Sequence, residues 1–357
     1  MPQTLRPIGV ITFPRMRAMI LERPSKATTS PWRPLSVADI PVPTPNEDEL
    51  LIRVSVCGVC RTDFDIAEGR VEASHCPVVP GHQVIGRVVT AAGDFKEGDR
   101  VGVAWINSAD ETCDWCRAGT ENLCPFFRAT GCDTDGGYAE YVTVPAAFAH
   151  AIPDNIDDVA AAPLLCAGAI GWRSLRLTNL MDGLPLGLSG FGASGHLMIQ
   201  LAARRFPNSR VFVFARNPGE RQFALSLGAA WAGDTSDTPP EPLGAIIDTT
   251  PAWEPVVRAL GALRPGGRLV INAIRKDSRD QSALLELDYA ADLWKEREIK
   301  SVANVTRADV RECLAAASEW NVHATARELP LEQANEALES FRTGGARGAV
   351  VLRVAAD

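Results

Sequence analysis

The chain lacks several features that would indicate a membrane or nucleic-acid protein. No apolar run approaches the ~20 residues of a membrane-spanning helix. Residues 1–17 contain three arginines but no continuous apolar segment like that of a signal peptide, so we expect a flexible arm and a cytoplasmic protein. The net charge of −8 argues against non-specific binding to nucleic acid or membrane surfaces. No internal repeat or low-complexity tract is visible.

The composition is that of a globular protein with more than one domain. With 357 residues the chain is too long for one ordinary core, so we expect two domains. Hydrophobic residues make up 46% and charged residues 22%, as in typical globular proteins. Nine cysteines are many for a reducing compartment. Because disulfides are rare in the cytosol, clustered cysteines there indicate metal binding or catalysis.

The first part of the chain has the pattern of a β domain. Short segments that resemble strands are separated by glycine, aspartate and proline, and they cover residues 18–22, 49–56, 84–90, 100–104 and 138–144. Proline-rich connections follow the first of them, at Pro41, Pro43 and Pro45. This spacing predicts a mostly antiparallel β domain up to about Leu165.

A glycine-rich turn indicates a dinucleotide site in the second part. Gly190, Gly192 and Gly195 stand between an apolar run at 184–188 and a helical pattern. Further strand candidates at 211–214, 245–248 and 268–273 alternate with helices, which predicts a parallel Rossmann sheet covered on both faces. The glycines, with Ala193 and Ser194, are expected to hold a pyrophosphate at the helix N-terminus. The last strand, 349–354, follows a helix at 331–341 and is expected to return to the first domain.

Three closely spaced cysteines predict a structural zinc site. Cys113 and Cys116 are followed by Cys124, and a closed tetrahedral site needs a fourth ligand. Asp110 stands at the right distance before Cys113, and Glu111 is a less well spaced substitute. The alternative is that this segment binds no metal.

A second set of ligands is scattered along the chain. Cys60, His82 and Cys166 can supply two thiolates and one imidazole, which balance the charge of zinc and leave a fourth position open. The other cysteines and histidines are assigned to buried packing positions: Cys57, Cys76, Cys132, Cys313, His75, His150, His196 and His323.

Together these stretches resemble the zinc-dependent medium-chain alcohol dehydrogenases. The resemblance is carried by residues 60–63, the pair Gly81-His82, the cysteine segment ending at Cys124, residues 165–168 and the glycine turn. It implies a GroES-like catalytic domain (18–167 and 305–357, with a zinc lobe at 105–132) and an inserted Rossmann domain (168–304). It also implies two zinc ions per chain and a homodimer or homotetramer.

The resemblance implies roles for individual residues. Cys60, His82 and Cys166 match the catalytic zinc ligands, and Thr62 matches the hydroxyl that hydrogen-bonds the substrate oxygen. The other matches are Asp63, which orients the histidine, Trp105, a wall of the substrate pocket, and Arg61 and Arg347, which meet the cofactor pyrophosphate.

Three positions depart from the pattern of the family. Asp110 replaces the first cysteine of the lobe, and Gln83 stands where a glutamate often follows the ligating histidine. Asp65 stands where many members have the histidine that passes the proton to solvent. A carboxylate with a pKa near 4 is a weak base at pH 7, so the relay ends either in Asp65 or in water.

The end of the second Rossmann strand favours NADP(H) over NAD(H). Enzymes specific for NAD place an acidic residue there, whereas this chain has Ala215 followed by Arg216 and Asn217. An arginine can bind the 2′-phosphate. The alternative is that Arg216 faces solvent and that both cofactors are accepted.

These observations and the resemblance predict a zinc-dependent alcohol dehydrogenase or aldehyde reductase. It would catalyse reversible hydride transfer between a small-molecule alcohol, or its aldehyde, and NADP(H) or NAD(H), with Thr62 relaying the proton. One alternative is a zinc-independent quinone or enone reductase on the same scaffold, against which the retained Cys60, His82 and Cys166 argue. A non-catalytic NADP(H)-binding sensor is the other, and it would bind nucleotide without turnover.

Overall fold

The computed structural model describes residues 14–343 and 348–355. The strands are β1 Arg15–Leu21, β2 Leu35–Pro41, β3 Glu49–Val59, β4 Val84–Thr90, β5 Arg100–Val103, β6 Ile106–Ser108, β7 Arg128–Ala129, β8 Tyr141–Pro145, β9 Ala149–Ala151, β10 Leu186–Ser189, β11 Val211–Phe214, β12 Trp231–Gly233, β13 Leu243–Asp248, β14 Leu263–Ile271, β15 Glu298–Ser301, β16 Ala326–Pro330 and β17 Ala349–Arg353. The helices are α1 Arg61–Ala67, α2 Asp114–Arg117, α3 Asp158–Ala161, α4 Ala167–Leu177, α5 Ala193–Arg205, α6 Pro218–Ser226, α7 Glu254–Ala262, α8 Arg307–Trp320 and α9 Ala334–Thr343. In the described residues no helix is long and apolar enough to cross a membrane.

A seven-stranded, mostly antiparallel sheet forms the first half. Its order is β16-β17-β3-β4-β5-β9, with β8 also paired to β3. All pairs are antiparallel except β16 with β17. The last strand, β17, pairs with β3 and so lies in this sheet.

A six-stranded parallel sheet forms the second half, in the order β12-β11-β10-β13-β14-β15. Counted along the chain, this is the order 3-2-1-4-5-6 of a Rossmann fold. Its central strands are apolar runs buried on both faces, which explains why β10 and β11 show no polar alternation. The order reverses between β10 and β13, and ligands of such sheets bind outside the carboxyl ends of the strands at that point.

Strands β1, β2 and β14 differ from what the sequence predicts, and so does the N-terminal arm. Strand β1 begins at Arg15, so residues 15–17 are not part of an arm, and residues 1–13 lie outside the described residues. Strand β2 was not predicted, because only its first residue is buried and it ends in a proline. Strand β14 extends through the turn at Gly266, because Leu263 already pairs with Leu243 before that turn.

Helix α8 links the lobe to the parallel-sheet half. A capping box formed by Thr306 and Asp309 begins it, and the buried Asp309 also pairs with Arg173 and Arg176 of α4 at 2.6 and 2.7 Å. The helix packs with α4 and α5 in one hydrophobic cluster, although the predicted boundaries place residues from 305 onward in the first domain. Its first residue, Arg307, faces the lobe.

Candidate active site and cofactor crevice

Cys60, His82 and Cys166 come together although they are far apart in sequence. Their ligand atoms all lie within 4.8 Å of one another, and the two sulfurs are 3.8 Å apart. Cys60 is the N-cap of α1, His82 precedes β4 and Cys166 directly precedes α4. The Nε2 atom of His82 is buried and has no hydrogen-bond partner in the described part of the chain. A buried polar atom without a partner indicates a missing ligand. Two thiolates and one imidazole are donors that zinc prefers.

Asp63 fixes two of these three residues. Its Oδ1 atom accepts a hydrogen bond from Nδ1 of His82 at 3.0 Å, which directs Nε2 towards the two sulfurs. Its Oδ2 atom accepts one from the backbone N–H of Cys60 at 2.7 Å and completes the capping box of α1. Tyr138, which the sequence analysis did not single out, donates its hydroxyl to the same Oδ2 at 3.1 Å. Asp63, His82, Cys60 and Tyr138 are thus linked in one hydrogen-bond network.

Without a metal, the three ligands of this cluster share protons with one another. A hydrogen bond from Cys166 lowers the pKa of the Cys60 thiol well below its usual value, against the effect of burial, and His82 acts in the same direction. Burial lowers the pKa of His82, but the nearby Asp63 carboxylate outweighs it and raises that pKa to about 10. The same hydrogen bond raises the pKa of Cys166 well above its usual value, so Cys166 and His82 would release protons when a metal binds, because zinc binds thiolates and neutral imidazole.

Thr62 and Trp105 lie at the edge of this cluster. The backbone N–H of Thr62 donates to Sγ of Cys60 at 3.4 Å, so this residue lies in the first turn of α1 beside the metal ligands. The Trp105 ring packs edge-to-face against His82, with ring centroids 4.8 Å apart. Both residues therefore lie beside the cluster of Cys60, His82 and Cys166.

The buried carboxylate of Asp65 is surrounded by arginines. Its Oδ1 atom accepts hydrogen bonds from Arg61 at 3.4 Å, Arg70 at 2.9 Å and Arg275 at 3.3 Å. Arg275 follows β14, so its bond to Asp65 joins the two halves of the molecule. Sequence reasoning missed Arg70 and Arg275 because neither lies in a recognisable motif. Arg61, expected at the pyrophosphate, is held by Asp65 in this structure.

The lobe brings Asp110, Cys113, Cys116 and Cys124 within 4.8 Å of one another. One carboxylate oxygen of Asp110 accepts hydrogen bonds from the backbone N–H groups of Cys113 and Thr112, at 3.0 and 2.9 Å. These bonds lower the pKa of Asp110 and keep it ionised. Because they occupy Oδ1, the other oxygen remains for a metal.

Glu111, the alternative ligand, has a different partner. Its carboxylate pairs with Arg307 of α8 at 2.7 Å, and the same arginine contacts the buried Glu121 at 3.3 Å. Asn122 also donates to the carbonyl of Ala303 at 2.6 Å. These bonds dock the lobe on the segment that begins α8, and they leave Asp110 as the carboxylate among the three cysteines.

The three glycines of the turn each meet a different spatial demand. Gly190 has a φ of +83°, and a Cβ there would lie 2.5 Å from Oγ1 of Thr249. At Gly192 a Cβ would meet nothing within 4 Å, so the backbone is open to a ligand. A Cβ at Gly195 would lie 3.0 Å from the Phe191 ring. Gly192 is the N-cap of α5, and Ala193 and Ser194 form its first turn. The turn thus has the shape that a pyrophosphate requires.

The three positions that follow β11 carry no carboxylate like that of an NAD site. Ala215 is buried and donates its N–H to Gly233, whereas Arg216 and Asn217 are exposed. The side chain of Asn217 is used as the N-cap of α6. Arg216 is therefore the charged side chain that these three positions offer a ligand, while Arg347 lies outside the described residues.

Some residues that the sequence analysis assigned to buried packing positions lie elsewhere. Cys57, Cys132 and Cys313 are buried as expected, but Cys76 is exposed, as are His75 and His323. Sequence alone could not separate them, because these single residues lie in no periodic pattern.

Comparisons with known proteins agree with this architecture. Residues 46–154 match the family described as the alcohol dehydrogenase GroES-like domain. A protein of Mycobacterium tuberculosis named Probable alcohol dehydrogenase AdhA is 43% identical over 355 residues, covering 97% of this chain and 100% of its own length. An alcohol dehydrogenase of Geobacillus stearothermophilus is 31% identical, covering 90% of this chain and 96% of its own.

Solved structures give the same result. A cinnamyl alcohol dehydrogenase of Sorghum bicolor superimposes with a TM-score of 0.80 at 26% identity, covering 95% of this chain and 98% of its own. The structure of a protein of Sinorhizobium meliloti bound to NADP gives a TM-score of 0.82 at 25% identity. The match covers 96% of this chain and 100% of that one.

Proposed function

Because the chain belongs to the alcohol dehydrogenases of the medium-chain dehydrogenase/reductase family, we propose that it is a zinc-dependent member that uses NADP(H). Its reaction is reversible hydride transfer between a small alcohol and the nicotinamide. The observation that carries this proposal is the cluster of Cys60, His82 and Cys166, whose ligand atoms lie within 4.8 Å.

The residues present fit a catalytic zinc ion. They supply two sulfurs and a buried imidazole nitrogen that has no other partner in the described residues, and they leave a coordination position open. When bound there, zinc supplies Lewis-acid polarisation of the substrate oxygen. The protein's own share is to fix the ligands, which Asp63 does through His82 and the N–H of Cys60.

Thr62, Trp105 and Asp65 are assigned the remaining roles near the substrate. The Thr62 hydroxyl, in the first turn of α1, hydrogen-bonds the substrate oxygen and relays its proton. The Trp105 ring forms a wall of the pocket beside His82. Asp65 stands where a relay base is expected, but Arg61, Arg70 and Arg275 already donate to its carboxylate. That engagement favours water as the final proton acceptor.

Removal of the metal tests this function. Dialysis against a strong chelator should lower aldehyde-dependent oxidation of NADPH by about two orders of magnitude or more, and added Zn²⁺ should restore it. The measurement is the loss of NADPH absorbance with a panel of aldehydes. Full turnover by a protein free of metal would instead favour the zinc-independent reductase, and NADPH binding without turnover in the zinc-loaded protein would favour the sensor.

The lobe is assigned a structural zinc ion. Three thiolates and one carboxylate oxygen close a tetrahedral site, and Asp110 is prepared for this role by the two backbone N–H groups that hold its other oxygen. This zinc would not bind substrate, because the four protein ligands would occupy all of its coordination positions. The five cysteines of the two clusters must be reduced, which supports the cytoplasmic location.

The cofactor lies along the carboxyl edge of the parallel sheet. Its pyrophosphate would be held by the turn at Gly190, Gly192 and Gly195 and by the backbone of Ala193 and Ser194. Arg61 would have to leave Asp65 to reach it, and Arg347, which lies outside the described residues, is assigned to it from the family resemblance alone. The adenosine ribose lies at Ala215, Arg216 and Asn217. The exposed Arg216 favours NADP(H), since no carboxylate among these three positions repels a 2′-phosphate.

Substitution of Arg216 tests the cofactor preference. Arg216→Ala should reduce the ratio of kcat/KM for NADP to that for NAD by about tenfold or more, because charge-assisted hydrogen bonds to the phosphate are lost. Steady-state kinetics with both cofactors measure this ratio. Arg204→Ala is the matched control, since that exposed arginine lies in the last turn of α5, away from the ribose. An unchanged ratio in Arg216→Ala would contradict the assignment.

A second copy of the chain is the proposed partner. Strand β15 is the edge of the parallel sheet, with every residue exposed, and it carries the exposed Ile299. The segment before it exposes Leu285, Tyr289 and Trp294 to 89%, 63% and 56%. An unpaired edge beside exposed apolar side chains is the kind of surface that self-association covers. Light scattering should therefore give a mass of at least twice 38.3 kDa.

A further inference from the structure

We propose that Tyr138 is a positioning residue of the metal site, which holds Asp63 and, through it, His82. This inference rests on the proposed zinc-dependent function. Tyr138 is completely buried and its hydroxyl donates to Oδ2 of Asp63 at 3.1 Å. In the part of the chain that the structure describes, the side-chain carboxylate of Asp63 receives its other hydrogen bonds from His82 and from the N–H of Cys60.

The backbone delivers the hydroxyl to this position with little freedom. The N–H of Tyr138 donates to the carbonyl of Pro80 at 3.0 Å, and the N–H of Gly137 donates to that of Gly81 at 2.9 Å. The segment that carries Tyr138 is thus hydrogen-bonded to the segment that carries His82. Movement of the tyrosine relative to the histidine would break these bonds.

Gly81 shows how closely the tyrosine ring approaches the ligand segment. Its φ is +100°, and a Cβ at this residue would lie 2.3 Å from Cδ1 of Tyr138. Only glycine fits at this position, so the Tyr138 ring packs directly against the backbone that leads into His82. The ring therefore holds the His82 segment by packing, while the hydroxyl is the part of Tyr138 that reaches Asp63.

The hydroxyl affects both the position and the charge of Asp63. The hydroxyl is a second donor to Oδ2 beside the N–H of Cys60, while His82 donates to Oδ1, so rotation of the carboxylate would break this additional bond and turn the His82 ring. The tyrosine donor also withdraws negative charge from the carboxylate, which limits how strongly Asp63 polarises His82. Partners of this kind change metal affinity by about 10- to 100-fold when they are removed. Tyr138 should therefore tune the affinity and the ligand field of the site.

Tyr138→Phe tests this role because it removes the hydroxyl and keeps the ring. We expect the zinc dissociation constant of the Cys60–His82–Cys166 site to rise about tenfold, measured by competition with a chromophoric chelator. The absorption bands of the Co²⁺-substituted protein should shift, since they report the geometry and donor strength of the ligands. Affinity at the lobe cluster serves as an internal reference within the same sample.

Tyr141→Phe is the matched control. It removes a hydroxyl three residues further along the same segment, from a half-buried residue of β8 that makes no hydrogen bond to Asp63 in the described structure. This variant should keep the wild-type spectrum and zinc affinity, and thermal unfolding of both variants should show that the fold is retained.

The outcomes separate this inference from the proposed function. Wild-type Co²⁺ bands and wild-type zinc affinity in a folded Tyr138→Phe protein would overturn the role of Tyr138 and leave the zinc site standing. A wild-type protein that binds neither Co²⁺ nor Zn²⁺ at Cys60, His82 and Cys166 would overturn both. A shifted spectrum with weakened zinc binding in Tyr138→Phe alone is the expected result.

Discussion

Replacing Cys60 with serine should lower kcat/KM for aldehyde reduction by about three orders of magnitude or more while the fold is retained. Cys60 contributes one of the two sulfurs of the cluster, and a serine hydroxyl is not a ligand that zinc selects. The substitution is mild for the fold, because Cys60 is the N-cap of α1 and serine is a preferred residue at that position. Loss of activity is thus expected without loss of the helix.

The controls for this variant separate chemistry from stability. NADPH oxidation measures turnover, while circular dichroism and thermal unfolding report the fold. Cys76→Ser also removes a thiol, but from an exposed position outside both clusters, and it should keep the wild-type rate. A fully active Cys60→Ser protein would refute the assignment of this cluster as the catalytic metal site.

Replacing Asp110 with alanine should remove the zinc ion of the lobe and lower the free energy of unfolding by at least about 2 kcal/mol. For a domain of this size class, that corresponds to a fall in Tm of about 4 °C or more. The variant loses a ligand, and it also leaves the backbone N–H groups of Thr112 and Cys113 without their acceptor. Metal analysis and calorimetry measure the two effects on one sample.

Two further substitutions show which effect is larger. Asp110→Asn keeps an acceptor for the two N–H groups but loses the anionic ligand, whereas Asp110→Cys restores a thiolate and should recover zinc binding. The matched control is Asp114→Ala, since this residue lies in the same lobe with a fully exposed side chain that pairs only loosely with Arg117, at 3.6 Å. If Asp110→Ala retained its zinc and its stability, the carboxylate would not be a ligand.

The elements that the sequence predicts well are those whose pattern is local. The parallel strands at 211–214 and 245–248 are continuous apolar runs, and the structure has strands at both places. The sequence predicts the glycine turn because a side chain at each of the three positions would obstruct the turn, the ligand or the packing. In the structure Gly190, Gly192 and Gly195 each have a different one of these surroundings. Strand β2 lacks a buried face of alternating residues, so no local sequence pattern predicts it.

The candidate site could be predicted from sequence only where motifs mark it. Cys60, His82 and Cys166 lie in recognisable stretches, and the structure brings them together. The bond between Tyr138 and Asp63 joins residues 75 positions apart, and that between Arg275 and Asp65 joins residues 210 apart. Such pairs depend on how the sheets and loops meet, which no pattern along the chain encodes.

The zinc content of the purified protein tests the central claim most directly. Plasma emission on protein prepared without added zinc should give two zinc ions per chain in the wild type. It should give one per chain in Cys60→Ser, because the lobe keeps its ion, and one in Asp110→Ala, because the catalytic site keeps its own. A folded wild-type protein that contains no zinc, and takes none up when Zn²⁺ is supplied, would contradict the proposed mechanism.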